Sequence, residues 1–303
     1  MSISTKVSKA RVIEYEESQH KASILMEALP YVRRFRGSVF VVKYGGSFMD
    51  SPDPQVRAQV AQDLVFLHFV GIKVVVVHGG GKAVTKELEV RGLQAQFIDG
   101  LRVTDDQAIK VVDEILNGQV NQEVADYVSS FDCDVQRLAG KDLLACEKLS
   151  QEPDLGYVGS IQNVKTSPIL KALESGKMPI ISSTGSDATG QCYNVNADTV
   201  AAEIAIALQA RRLVYLSDVP GLLSNPQDPS SLLSSLAIDQ VDQLKKDGVI
   251  AKGMLPKVNS AVKALGSAVN RVHFIDGRLP HSILLEIFTD QGIGTEIIHG
   301  TSS

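Results

Sequence analysis

Short apolar runs recur along the chain, and segments of helical period separate them. Val39 to Val42 is a β-branched and aromatic run that ends at Lys43. Ile72 to Val77 is apolar without a break, as expected of a strand covered on both faces. Met178 to Ile181, Leu213 to Leu216 and Val272 to Ile275 repeat that pattern. Helices are predicted over Ala83 to Arg91, Gln107 to Leu116, Ala197 to Leu208 and Ile283 to Phe288. In the second of these, Ala108, Val111, Val112, Ile115 and Leu116 form one stripe. Strand–helix alternation over this length predicts a mostly parallel sheet with helices on both faces.

Two stretches depart from the alternation. Ser18 to Arg36 has apolar residues near a 3.6 period, interrupted by Pro30, ahead of the first strand. It reads either as a locally packed helix or as an arm that docks on another subunit. Val135 to Val164 carries Gly140, Gly156 and Gly159 between short apolar runs, which suggests hairpins forming a flap over a site on the main sheet. A soft boundary is expected near Ser175 to Pro179. The chain shows no internal repeat and no low-complexity segment.

Composition narrows the class. The 303 residues are 44% apolar and 21% charged, ordinary for a soluble globular protein, and suffice to bury a substantial core. The formal charge of -5 argues against general nucleic-acid affinity. Cys133, Cys146 and Cys192 are too scattered for a disulfide framework or a zinc site, and Cys192 reads as a small buried filler. No resident metal site is expected. Met1 to Arg11 lacks the apolar core of a secretory signal. No run reaches the roughly 20 apolar residues of a membrane span. A cytoplasmic location is expected.

Candidate chemistry gathers where strands end. Lys43-Tyr44-Gly45-Gly46-Ser47 delivers a lysine and two glycines at the carboxyl end of a strand, where open α/β sheets bind ligands. His78-Gly79-Gly80-Gly81-Lys82 places a glycine run between a strand and a helix start, an anion-binding arrangement. It has neither the Walker A spacing nor G-x-G-x-x-G, so the anion is unspecified. His78 reads as a structural hydrogen-bonding residue. Arg102, in Gly100-Leu101-Arg102-Val103-Thr104-Asp105, precedes a helix capped by Thr104 or Asp105; it is either a carboxylate reader or an ordinary surface ion pair. Asn194 and Asn196 fall on one side of an extended segment, and Asp198 either caps the next helix or holds lysines. Ser217-Asp218-Val219-Pro220-Gly221 is a strand-end turn. Lys257 opens a helix after Pro256, electrostatically awkward unless an anion sits there.

In this order the segments resemble the amino-acid kinase superfamily, and most closely its N-acetylglutamate kinases. The resemblance runs from about Tyr31 to His299 through VVKYGGS, VVHGGGK, DGLRVT, LGYVGSI, YNVNADT, LSDVPGLL, GMLPKV and LLEIFTDQGIGTEI. It implies an α/β fold, a three-layer αβα sandwich around an open, mainly parallel sheet. It implies a helical extension over 1–36, an acyl-substrate lobe over 37–177 and a nucleotide lobe over 178–303. It implies ATP with Mg²⁺, and N-acetyl-L-glutamate as acceptor of a phosphoryl group on its side-chain carboxylate, as in arginine biosynthesis. By the same resemblance Lys43 and Lys257 stabilise the transferring group and Asp198 organises both. Gly80, Gly81, Arg102, Asn194 and Asn196 bind the acyl substrate, and Gly45, Gly46, Ser217 and Asp218 belong to the nucleotide site. The glycine usual before Gly253 is Lys252 here.

The early helix, with Tyr15 ahead of it, resembles the extension that links dimers into hexamers in arginine-sensitive members. His281, Ser282, Glu286, Gly292 and Gly294 resemble their arginine site. Inhibition by L-arginine and a homo-oligomer, dimer or hexamer, are therefore expectations. Some relatives bind the nitrogen-signalling protein PII; no residue here decides for it. The rivals are a kinase of a longer acyl substrate, such as an aminoadipate derivative, and a non-catalytic arginine sensor. The set Lys43, Asp198 and Lys257 argues against the sensor, which has no need of it.

Overall fold

Eight strands build the main sheet of the computed structural model, which describes residues 9–45, 54–149, 152–225, 227–250 and 253–300, with the backbone alone for 9–17. They are β1 (Val39–Tyr44), β2 (Lys73–His78), β3 (Val135–Leu138), β4 (Met178–Ser182), β5 (Arg212–Ser217), β6 (Ser235–Ala237), β7 (Arg271–Asp276) and β8 (Thr295–Ile298). Their order across the sheet is β6-β8-β7-β5-β1-β2-β4-β3. Every neighbouring pair is parallel except β7 and β8.

Nine helices matter for the site and its surroundings: α1 (Lys9–Phe35), α2 (Pro54–Phe69), α3 (Gly81–Val90), α4 (Asp106–Glu114), α5 (Asn121–Ser129), α6 (Ser167–Glu174), α7 (Ala197–Ala207), α8 (Leu255–Leu265) and α9 (Ser282–Ile287). The sandwich follows from the pleat, because successive strand residues face opposite sides. Phe40 and Val42 of β1 join Val74, Val76, Ile180 and Val214 in one core, with Leu64 of α2 and Val112 of α4. Val41 joins Val75, Val77, Leu213, Tyr215 and Phe274 in the other, with Val200 and Ile204 of α7 and Val258 and Ala261 of α8. Each fully buried aliphatic or aromatic side chain contributes about 1.5–3 kcal/mol. Lys43 shares the face of Val41, so its side chain leaves the sheet on the α7 and α8 side.

A second, four-stranded sheet of Leu144–Lys148, Gly159–Val164, Thr184–Ser186 and Cys192–Asn194 continues from the carboxyl end of β4, whose last residue, Ser182, is followed almost at once by Thr184–Ser186. It contains the expected hairpin. Val135–Leu138, expected in the flap, instead pairs in parallel with β4 as the edge of the main sheet. α1 does not break at Pro30, which lies inside it. The missing N–H removes one helical hydrogen bond, but the last turn is anchored by Arg36 N donating to Val32 O and by Phe35 against Phe40, ring centroids 5.3 Å apart. The helix expected over Gln107 to Leu116 is α4 followed without a break by a π-helical turn, Ile115–Val120.

Candidate active site

The strand order reverses at β1. The connection leaving β1 leads toward β2, and the one leaving β5 leads toward β7. The crevice at such a reversal is where open α/β sheets bind ligands. Lys43 pairs in register with Tyr215 of β5 and Val77 of β2, so it stands at the mouth of that crevice.

Asp198 lies in the first turn of α7, not at its cap. Asn196 is the cap, its Oδ1 accepting from Asp198 N at 2.8 Å and Thr199 N at 3.3 Å. The Asp198 carboxylate is buried between two lysines. Lys257 Nζ donates to Oδ2 at 2.7 Å, and Lys43 Nζ lies 3.0 Å from Oδ1 in an ion pair that is not aligned as a hydrogen bond. Chain positions 43, 198 and 257 thus meet at one point. Burial pushes the Asp198 carboxyl up, but the two lysines outweigh it and hold it below the usual range. Lys43 is lowered, because burial outweighs the attraction of Asp198 and Lys257 repels it in addition. The stacked Tyr215–Phe274 pair, 5.2 Å apart, supports α7 from below, and the Tyr215 hydroxyl donates to Asp198 O at 3.2 Å. Lys257 enters the site from the first turn of α8, whose opening carries Pro256.

Beside this cluster a pocket is lined by Gly79, Gly80, Gly81, Arg102, Asn194 and Asn196, with Leu116 and Val158 as apolar wall. Gly80 is required there: its φ of 151° lies outside the ordinary range of other residues, and a Cβ would come within 2.6 Å of Leu116 Cδ2. Arg102 is 6% exposed. Its Nη2 donates to Gly81 O at 2.7 Å and Thr85 Oγ1 at 2.8 Å, and its guanidinium lies over the Phe97 ring at 4.6 Å. Nη1 is buried without a partner, and no ion pair involves Arg102 among the described residues. Burial lowers its pKa. A buried, uncompensated guanidinium in a pocket is matched by an anionic ligand. Asn194 is held by Thr104, whose Oγ1 donates to Arg102 O at 2.9 Å and accepts from Asn194 Nδ2 at 3.2 Å. The backbone at Leu155 to Tyr157 runs between the two, with Thr104 N donating to Leu155 O, Tyr157 N to Thr104 O and Asn194 N to Tyr157 O. Asp105 caps α4, accepting from Gln107 N and Ala108 N.

On the β5 side, Ser217 ends its strand, and its Oγ accepts from Val219 N. Asp218 is exposed beyond it. Gly45 follows β1 and is buried; Gly46 lies outside the described residues, as does Lys252. Asp276, opposite Ser217 in register, grips Arg278 through both oxygens at 2.9 and 2.7 Å. Sequence reasoning missed this Asp276–Arg278 pair and the Thr104 clamp. A strand ending in Asp-Gly-Arg is the only local sign of the first. Cys192 is buried, as expected of a filler.

The residues compared to an arginine site separate. Glu286 and Gly292 line a cavity of about 480 Å³ with Tyr31, Arg34, Arg212 and Arg271. Glu286 is buried, bonded to His273 Nδ1 at 2.7 Å and accepting from Ile293 N and Gly294 N. Burial pushes its carboxyl up, but His273 and the two amides outweigh that and hold it low. Arg212 is lowered to about 9 by burial and by neighbouring arginines. His281 and Ser282 do not line the cavity; His281 Nδ1 pairs with Asp63 at 2.8 Å. Tyr15 lies in α1, its side chain outside the described residues.

A kinase fold that presents two lysines on one carboxylate beside an anion pocket defines a class, and comparison with known proteins agrees. Residues 38–276 match the amino acid kinase family. An acetylglutamate kinase of Thermoanaerobacter sp. (strain X514) is 44% identical over 286 residues, 94% of this chain and 95% of that protein. The chain also resembles a solved N-acetylglutamate synthase from Neisseria gonorrhoeae complexed with coenzyme A and N-acetyl-glutamate. There the TM-score is 0.82 at 26% identity, covering 92% of this chain and 64% of that one. The same synthase complexed with coenzyme A and L-arginine gives 0.78 at 26% identity, covering 91% and 65%. This chain therefore spans less than two thirds of the synthase. The chain belongs to the amino acid kinase family and, within it, to the acetylglutamate kinases.

Proposed function

We propose that this chain transfers the γ-phosphoryl group of ATP to the side-chain carboxylate of N-acetyl-L-glutamate, giving an acyl phosphate and ADP. The observation that carries the reading is the shared Asp198 carboxylate, which holds Lys43 and Lys257 side by side next to the Arg102 pocket. The acceptor carboxylate is ionised at neutral pH and needs no general base. One of its oxygens forms the new P–O bond, the bond to the ADP oxygen breaks, and ADP keeps that electron pair. The difficulty is repulsion between an anion and a polyanion, and fixed positive charge answers it. Arg102, with Asn194, holds the substrate's other carboxylate; the turn Gly80-Gly81 meets the reacting one. Gly45, Ser217 and Asp218 line the nucleotide's approach, so that residues 37–177 serve mainly the acyl substrate and 178–303 the nucleotide.

The nucleotide enters as its Mg²⁺ complex. Asp198 is taken by lysines and Asp276 by Arg278, and among the described residues no cluster of three His, Cys, Asp or Glu would hold the ion. The phosphates would carry it. The cavity at Glu286 and Gly292 offers carboxylates for a guanidinium and arginines for a carboxylate, which supports L-arginine as a regulator. Exposed Ile24, Leu25, Met26 and Leu29 on α1 support assembly of like subunits through that helix. No described helix is long and apolar enough to cross a membrane; we place the enzyme in the cytoplasm.

Hydroxylamine trapping with ATP, Mg²⁺ and a panel of acyl amino acids tests the reading. N-acetyl-L-glutamate should give the largest hydroxamate yield. Equal or greater yield with N-acetyl-aminoadipate, or none with any acceptor, would overturn it.

A further inference from the structure

His78 ends β2 immediately before the glycine turn and is wholly buried, yet it does not line the acceptor pocket. Its Nδ1 lies 2.8 Å from Gly79 O and its Nε2 lies 2.9 Å from Asn121 Nδ2. A carbonyl oxygen can only accept, so the ring proton sits on Nδ1 and Nε2 is the acceptor. Burial lowers the ring to about 4, so it is neutral under working conditions. The Asn121 amide is oriented from two further directions. Nδ2 also donates to Ile180 O at 3.0 Å, and Oδ1 accepts from Arg137 Nε at 2.9 Å. Arg137 stands on the edge strand β3 and spreads over the π-helical turn. Its Nη2 donates to Asn117 O and Gly118 O, each at 3.1 Å, and Nη1 donates to Gln122 Oε1.

That turn faces the active site. Leu116 and Val120 back directly onto Gly80, a Cβ there falling 2.6 Å from the first and 3.2 Å from the second. Asn117 Oδ1 accepts from the hydroxyls of Ser182 and Thr184, which ties the turn to the end of β4. The glycine turn is thus held from behind by the π-helix and at its first carbonyl by His78, and Arg137 locks both supports. π-helical insertions recur at functional sites, where they re-aim backbone groups.

We propose that His78, Asn121 and Arg137 are positioning residues for phosphoryl transfer: a neutral hydrogen-bond relay that fixes the Gly79 carbonyl and so aims the Gly80 and Gly81 amides at the acceptor carboxylate. The amide of a helix's first residue, here Gly81, lacks an intrahelical partner and can meet the substrate. The inference rests on the acetylglutamate kinase reading and deepens it.

The test separates the two ring nitrogens. An asparagine amide nitrogen can take the place of Nδ1 as donor, and a glutamine amide oxygen that of Nε2 as acceptor. His78→Asn keeps the donor to Gly79; His78→Gln loses it. Arg137→Met, at a solvent-facing position, removes the lock without touching the glycine turn itself. In the full-length enzyme, kcat/KM for N-acetyl-L-glutamate should fall about tenfold or more in His78→Gln and Arg137→Met, given how steeply rate depends on sub-ångström placement. His78→Asn, which keeps the Gly79 bond but gives up Asn121, should fall clearly less, by about threefold, and KM for ATP should be unchanged in all. A structural role alone would lower melting temperature in both histidine variants without this split. Equal acceptor kcat/KM in His78→Asn and His78→Gln would overturn the relay. If neither histidine variant folds, an unchanged Arg137→Met overturns it and a weakened one supports it. A wild-type enzyme inactive on N-acetyl-L-glutamate would instead sink the parent reading.

Discussion

An ammonium group removed from water destabilises a protein unless its partners compensate. At Lys43 they do not: burial outweighs Asp198, and Lys257 adds repulsion, so the amine is held below its usual range. In the unfolded chain the amine keeps its proton to about 10.4, so the unfolded state binds more protons above the folded value. Stability therefore rises with pH between the lowered folded value and about 10.4. Asp198 behaves oppositely. Its folded value is depressed, so its contribution is present above the unfolded value of about 3.9 and is lost as pH falls through the folded one. Removing Lys43 leaves Asp198 with Lys257 alone. Lys43→Met should therefore lose the alkaline rise in melting temperature and begin its acid loss at a higher pH than wild type. Thermal melts from pH 3 to 10 check this; an alkaline rise equal to that of wild type would contradict it.

At the scale of elements, segments far apart in the chain build the acceptor pocket, and Thr104 couples two of them. Its buried hydroxyl joins Arg102 to Asn194 while the backbone at Gly156 runs between. Gly156 sits at φ 74°, and a Cβ would run into Thr104 O. Thr104→Val keeps the shape and removes both hydroxyl bonds, while Thr104→Ser keeps them. The valine variant should raise KM for N-acetyl-L-glutamate about 5- to 30-fold, the equivalent of one to two buried hydrogen bonds. The serine variant should recover most of it. Steady-state kinetics with the acceptor varied decides, and equal constants in the two variants would remove the clamp from substrate positioning.

Legibility in the sequence also divides at this scale. Strands buried on both faces announce themselves as unbroken apolar runs, so β1, β2, β4, β5 and β7 were readable within a residue or so. Glycines and a lysine at their carboxyl ends marked segments that the fold brings to one crevice. Alternation along β1 puts Lys43 on the same face as Val41, but that α7 and α8 cover this face comes only from the fold. The relay from His78 to Arg137 was not readable, because Asn121 and Arg137 are ordinary polar residues in their own elements and meet His78 only through the fold. The π-helical turn has no period of its own within six residues, so the stripe from Ala108 to Leu116 reads as one α-helix. Val135–Leu138 is too short and too polar to read as a main-sheet strand, and only its pairing with β4 makes it a sheet edge. Pro30 misleads because local propensity yields to packing by Phe35.

In the whole molecule, α1 stands apart from the site. It is a 27-residue helix with its apolar side chains Leu25 and Met26 well over half exposed, while Tyr31 and Phe35 near its end pack on the body. Such a face is normally covered in solution. Tyr31 also bonds Asp290 beside the cavity at Glu286, so assembly through α1 and occupation of that cavity are physically adjacent. Light scattering after size-exclusion should show a larger assembly for the full chain than for one lacking residues 1–30. Identical masses would leave α1 a local support.

The account turns on Lys43 and Lys257 neutralising a phosphoryl group in flight. Turnover of Lys43→Ala at saturating ATP and N-acetyl-L-glutamate measures that most directly. The expected result is a fall in kcat of about 10²–10³, the loss typical of one preorganised charge donor, with KM for the acceptor within about threefold. A kcat close to wild type would contradict it.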